Sequence, residues 1–156
     1  MAYQKLQVGR AVRVYPSDTA EIPFPNLISS GANSTVTTNK LVDATANFIT
    51  AAIEVGDIVY NTTNGLSTIV TNVDSATILS LSANIFTLTP RNYSIYKAGA
   101  NNGCVIYVGG SGDIEVTTTG GDRVNFTGIL AGQFIPVQVM KVWTTGTNAT
   151  NILALW

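Results

Sequence analysis

Three observations predict an all-β, antiparallel fold for this chain. β-Branched residues fill short pleated segments, glycine pairs and an Asn-Gly step separate them, and no apolar periodicity of helical spacing exceeds about two turns. The last third makes the pattern plainest. Cys104-Val105-Ile106-Tyr107-Val108 runs into Gly109-Gly110-Ser111-Gly112, and Asp113-Ile114-Glu115-Val116-Thr117-Thr118 runs into Gly120-Gly121. Arg123 to Thr127, Gln133 to Trp143 and Asn151 to Trp156 continue the series. Glycine reaches the positive φ that tight reversals need, so each pair reads as a turn between strands. The expected class is an antiparallel, jelly-roll-like β-sandwich that carries an inserted small β-barrel or sandwich module.

Taken in order, residues Met1 to Tyr15 read as one strand, with Val8, Ala11, Val12 and Val14 as its apolar positions. Pro16, Pro23 and Pro25 then space out an extended segment to Asn26. Proline fixes φ and removes a ladder donor, which favours an edge, an arm or a strap that clasps a neighbouring subunit. Ser29 to Asn33 is small and polar and reads as a linker. A self-contained module follows over 35–97. Thr35-Val36-Thr37-Thr38 reads as its first strand, and Asp43 to Phe48 as one helical turn capped by Asp43. Val55 to Asn61, Ser67 to Val73, Thr77 to Ser82 and Tyr93 to Tyr96 read as strands, with Asn64-Gly65 as a type I′ hairpin. A second loose linker, Ala98 to Gly103, mirrors the first in composition. Two linkers around a β-module describe an insertion, which makes the outer domain discontinuous, 1–31 plus 98–156.

Composition narrows the function classes. Charged residues are 11% of the 156 and hydrophobic ones 46%, against about 25% charged in an average soluble protein. Thr, Asn, Ser and Gly supply the polarity, so copies of the chain repel one another weakly, as suits a protein of an assembly. A formal net charge of −1 offers no basic footprint for nucleic acid. The absence of histidine removes the usual general base and the commonest metal ligand. The single cysteine, Cys104, excludes an intrachain disulfide and a Cys-based zinc site, and its apolar neighbours make it a small buried hydrophobe. No apolar run approaches the ~20 residues of a membrane span, and the N-terminal residues lack the apolar core of a signal peptide. Synthesis in a cytoplasm, without cofactor, metal or membrane, is the expectation. Five Asn-x-Ser/Thr triplets, starting at Asn33, Asn61, Asn92, Asn125 and Asn148, follow from abundant Asn and Thr.

Few motifs carry chemistry. Gly109 to Gly112 lacks the Lys-Ser/Thr and the helix of a phosphate loop, so it reads as a hairpin turn. Asp113 and Glu115 share a strand face, where a Ca²⁺ ion or a glycoside-hydrolase carboxylate pair is imaginable, but a solvated acidic face accounts for them as well. Tyr107, Phe126, Trp143 and Trp156 read either as a sugar-stacking platform or as core. Trp156 is also placed to anchor a neighbouring subunit. Lys5, Arg10, Arg13 and Arg123 are the cations that matter most for partners, Lys5 and Arg13 having the same strand parity. The candidate capsid and subunit interface is thus Lys5, Arg10, Arg13, Pro16, Pro23, Pro25, Trp143 and Trp156.

Four stretches carry a resemblance. They are Tyr15-Pro16-Ser17-Asp18-Thr19, Ile106-Tyr107-Val108-Gly109 with Gly112-Asp113-Ile114, Gly121 to Gly128 with Gly132 to Val139, and Thr145 to Trp156. On these residues, roughly half of the chain, the outer segments resemble a family of small tailed-phage virion proteins, the head decoration and cement proteins. They also resemble the spike-base protein of phages and gene-transfer agents. The middle module departs from the compact spike-base pattern. It looks like a β-module of other phage structural proteins, on Val55 to Asn61 and Tyr93 to Tyr96. The resemblance implies a β-sandwich on the capsid surface of a virion, without enzymatic activity. It would dock on the major capsid protein and assemble with copies of itself as a trimer or pentamer, with a head fibre as a further partner. Three alternatives stand beside it: a host-glycan-binding module using Trp143 or Tyr96, a tail or baseplate protein, and a carboxylate hydrolase using Asp113 or Glu115.

Overall fold

The computed structural model describes residues 8–156; Met1–Gln7, and with them Lys5, lie outside the described residues. The chain is all-β and antiparallel, built on two six-stranded sheets. The outer sheet takes β1 (Ala11–Arg13), β8 (Cys104–Gly110), β9 (Gly112–Thr118), β10 (Arg123–Ile129), β11 (Gln133–Val142) and β12 (Thr150–Leu155), in the order β1-β12-β8-β11-β9-β10. The second sheet takes β2 (Leu27–Ala32), β3 (Lys40–Val42), β4 (Ile58–Asn61), β5 (Leu66–Ser75), β6 (Ile78–Leu81) and β7 (Asn92–Tyr96), in the order β2-β7-β4-β5-β6-β3. One sheet therefore draws on both ends of the described chain and the other on its middle.

The outer sheet curls on itself. Alternation turns Cys104, Ile106 and Val108 of β8 inward, and Ile114 and Val116 of β9 meet them in one buried cluster with Ile152 and Ala154. β11 makes the curl possible. Its first half pairs with β8 and its second half with β9, with register shifts between Ile135 and Val139 and between Val139 and Lys141. Those bulges space the buried residues at Ile135, Val139 and Val142, not at alternate positions, and Pro136 falls within the first of them. Because β11 lies between β8 and β9, the Gly110–Gly112 reversal is a corner between strands that do not pair, where the sequence predicted a hairpin.

The second sheet closes over Phe48, Phe86, Leu41, Leu79, Val59 and Ile95. Four expectations need correction here. Ser29–Asn33 is largely strand, because β2 pairs along β7 from Leu27↔Tyr96 to Ala32↔Asn92, so the change of sheet falls at residue 26 rather than 31. Thr35–Thr38 contributes one isolated bridge, Thr35↔Val42, and the strand comes later, at Lys40–Val42. Asn64-Gly65 closes a four-residue loop between Asn61 and Leu66, not a two-residue turn; Gly65 alone takes a left-handed φ, 71°, while the Asn61 Oδ1 accepts from Thr63 N and Asn64 N. Asp43 starts no helix.

Asp43 serves the core instead. Its carboxylate, 3% exposed, accepts from Thr45 N at 2.9 Å, Thr45 Oγ1 at 2.7 Å and the Tyr93 hydroxyl at 2.8 Å. A Cβ on Gly31 would stand 2.7 Å from that carboxylate and 2.8 Å from the hydroxyl, so β2 needs glycine there. Burial opposes the charge on Asp43, but hydrogen bonds from Thr45 and Tyr93 outweigh it and hold the carboxyl below its ordinary range. A lowered carboxyl stabilises the fold fully above the ordinary carboxylate pKa near 4, and that contribution is lost as pH falls through the lowered value. Tyr93→Phe removes one donor, so it should cost about 1–3 kcal/mol at pH 7 and less at pH 3. Thermal unfolding at both pH values checks this; an equal cost at each would sink it.

Candidate functional site

The two sheets meet across a seam, and the proline segment fills it. The Ser17 backbone N donates to Val142 O at 3.0 Å and Ile22 N to Met140 O at 2.9 Å, which ties the segment along β11. Ser17 Oγ donates to Ser67 O of β5 at 3.0 Å while accepting from Ala20 N at 2.9 Å, so one serine joins both sheets. Ala20 packs with Ile58 and Tyr60 of β4, and the Tyr60 ring contacts Tyr15 at 4.8 Å and Tyr96 at 5.4 Å, both edge-on. β4 is consequently buried on both faces. The Tyr60 hydroxyl is enclosed without a hydrogen bond of normal geometry, and burial raises its pKa well above the ordinary value.

The expected interface residues are dispersed over this frame. Pro23 is buried and Pro16 and Pro25 are half-buried within the chain's own seam, so the segment clasps its own sheets. Arg10 stacks 5.3 Å over Phe24 and donates to Pro25 O, on the exposed side of the same segment. Arg13 donates to Asn151 Oδ1 at 2.7 Å on the far edge of the outer sheet. Trp156 docks inward, edge-on to Phe24 at 5.4 Å, with Nε1 donating to Asn101 Oδ1 at 3.2 Å.

Trp143 sits in a polar cluster. Arg123 lies 3.8 Å and Lys141 3.7 Å from the centre of its ring, and its Nε1 donates to Thr117 Oγ1 at 2.8 Å. Arg123 is itself bonded to Glu115, and Lys141 donates to Asp18 O at 2.8 Å. Hydrogen bonds from Thr145 N and Oγ1 hold the Asp18 carboxyl below its ordinary range. With two cations already on the indole, a sugar ring finds no open platform there, and Tyr96 is taken up by its contact with Tyr60.

Asp113 and Glu115 do share a strand, but each has a local task. Asp113 Oδ1 accepts from Gly128 N at 2.8 Å beside the irregular end of β10, and Glu115 holds Arg123. Among the described residues no group of three His, Cys, Asp or Glu is placed to hold a metal ion, and no helix is long and apolar enough to cross a membrane. Cys104 is 1% exposed, its Sγ 3.2 Å from Val139 O, and burial pushes its thiol up to about 12.

The sequence did not single out the turn between β10 and β11, strands that β9 separates in the sheet. Among the described residues β10 pairs on one side only, with β9, and leaves Val124 39% exposed; Leu130 and Phe134 beyond it are 63% and 52% exposed. Phe134 sits opposite Tyr107, ring centres 5.4 Å apart, and Tyr107 opposite Leu153, so an outward row of large side chains crosses β11, β8 and β12. Phe134 next to Ile135 on a strand was the available signal, since two adjacent apolar residues cannot both face one core.

Comparison with known protein families, curated proteins and solved structures yields no match to this chain.

Proposed function

We propose that this chain is a non-enzymatic structural protein of a tailed-phage head. It decorates or cements the shell, or forms the base of a head appendage, as a homo-oligomer. The observation that carries the reading is one end of the outer sheet, where among the described residues β10 pairs only with β9, and Leu130 in the turn after it and Phe134 on β11 face solvent. Natural proteins avoid such edges unless a partner covers them. The low charge of the chain and the resemblance of its outer segments to phage head proteins support the same reading. On it, the outer sheet docks on the major capsid protein and on copies of itself, and the 27–97 module projects outward. Binding only the assembled shell raises shell stability by mass action.

The number of copies in purified virions, relative to the major capsid protein, tests this. Closed symmetry makes the count diagnostic: on the order of several hundred copies means lattice-wide decoration, and on the order of sixty means pentamers at the vertices. A handful would move the chain to the tail or baseplate, and absence from virions would overturn the proposal.

A further inference from the structure

The seam opens on one side into a cleft that the structural role leaves unused. Two adjoining hollows, of about 220 and 330 Å³, share Arg13, Tyr15 and Gly65 in their walls. The 62–65 loop stands on one side and the start of β12 on the other. No acidic side chain lines either hollow, and Arg13 has no carboxylate partner among the described residues. Its Nη2 donates instead to the amide oxygen of Asn151, at 2.7 Å. An amide orients a guanidinium without neutralising it.

Asn151 is held at φ 52° inside a strand, in the left-handed region. That conformation is uncommon outside glycine and is best tolerated by asparagine. A strained residue that aims an amide at an uncompensated cation in a cleft is the kind of outlier from which function is inferred. The rest of the lining is hydroxyl and amide. Thr63 Oγ1 accepts from Asn92 N at 2.9 Å, which leaves its own proton to donate, and Asn64 is exposed beside it. Tyr15 offers a half-buried ring, braced by Tyr60 behind it and lying against Gly65, where a Cβ would touch it at 3.4 Å.

We propose that this cleft binds one acidic saccharide unit, a uronic or sialic acid. The carboxylate sits on the Arg13 fork, which matches it in bidentate geometry. The C–H face of the sugar lies on Tyr15, and its hydroxyls meet Thr63 and Asn64. A peptide C-terminus would want an apolar pocket for its last side chain, and the wall formed by the 62–65 loop has none. The site belongs to the single chain, so it stands or falls independently of any place on a virion.

Titration of the full isotope-labelled chain with N-acetylneuraminic acid and with galacturonic acid, followed by backbone amide shifts, tests it. Saturable shifts are expected at 13–15, 62–65 and 150–152, at concentrations on the order of millimolar, with galactose and acetate at least about tenfold weaker. Arg13→Gln should abolish them. Asn151→Gly keeps the left-handed backbone, removes the amide, and should weaken binding about threefold or more with an otherwise unchanged spectrum. Absence of shifts, shifts elsewhere, acetate equal to the sugars, or an Arg13→Gln protein that folds and binds as wild type would each overturn the proposal.

Discussion

Replacing both Leu130 and Phe134 by serine is expected to convert an oligomer into monomers while the fold survives. The two side chains are 63% and 52% exposed, so the monomer loses mainly the Phe134–Tyr107 contact and its melting temperature should fall by only a few degrees. At an interface each would lose about 1–2 kcal/mol of the apolar burial still open to it, or together at least about tenfold in association constant. Sedimentation of the wild type and the double variant at matched concentrations is the measurement. A wild type that sediments as a monomer, or a variant that keeps the wild-type mass, would remove this patch as the self-association surface. On the proposed head role, the same variant added to virions that lack the protein should fail to occupy them.

Truncation at Tyr60 should have the largest effect on stability, and the sign should depend on which atoms are removed. Its ring fills the seam between Tyr15 and Tyr96 and is 2% exposed, so Tyr60→Ala should cost about 3–5 kcal/mol. Because the ring is the main apolar link across the seam, the calorimetric transition is expected to split, the 27–97 sheet and the outer sheet melting apart. Tyr60→Phe removes only a hydroxyl that makes no hydrogen bond of normal geometry among the described residues, so it should be neutral or stabilising by about 1 kcal/mol. A single transition in Tyr60→Ala would mean that Ser17 and the strap hold the sheets together without the ring. A loss of stability in Tyr60→Phe would mean that the hydroxyl is satisfied in solution.

Strands that bury one face over several residues were legible in the sequence. β8, β9, β11 and β12 could be read from alternation and glycine pairs, and β4 to β7 from β-branched runs. β2 was not legible, because Ser29, Ser30 and Gly31 have loop composition and become strand only through pairing with β7. Gly31, which weakens a strand in isolation, is required there by a carboxylate and a hydroxyl that arrive from residues 43 and 93. Local patterns carry no trace of such long-range crowding. The same holds for the surface. Trp143 looked open because nothing nearby in sequence shows that Arg123, 20 positions earlier, would lie on its ring. Leu130 and Phe134 did not stand out, because periodicity shows that a residue is apolar, not whether anything covers it.

The pairing of Leu27 with Tyr96 has a consequence for what this chain can be made to carry. The two chain crossings between the sheets lie on neighbouring strands, about 4.8 Å apart. A segment whose ends are that close can be exchanged as a cassette, since any hairpin-ended domain presents its termini at the same spacing. The graft would have to supply its own counterpart to Tyr60, because without a side chain in the seam Tyr15 and Ala20 would be left facing water. With that single condition met, the outer sheet becomes a socket for display.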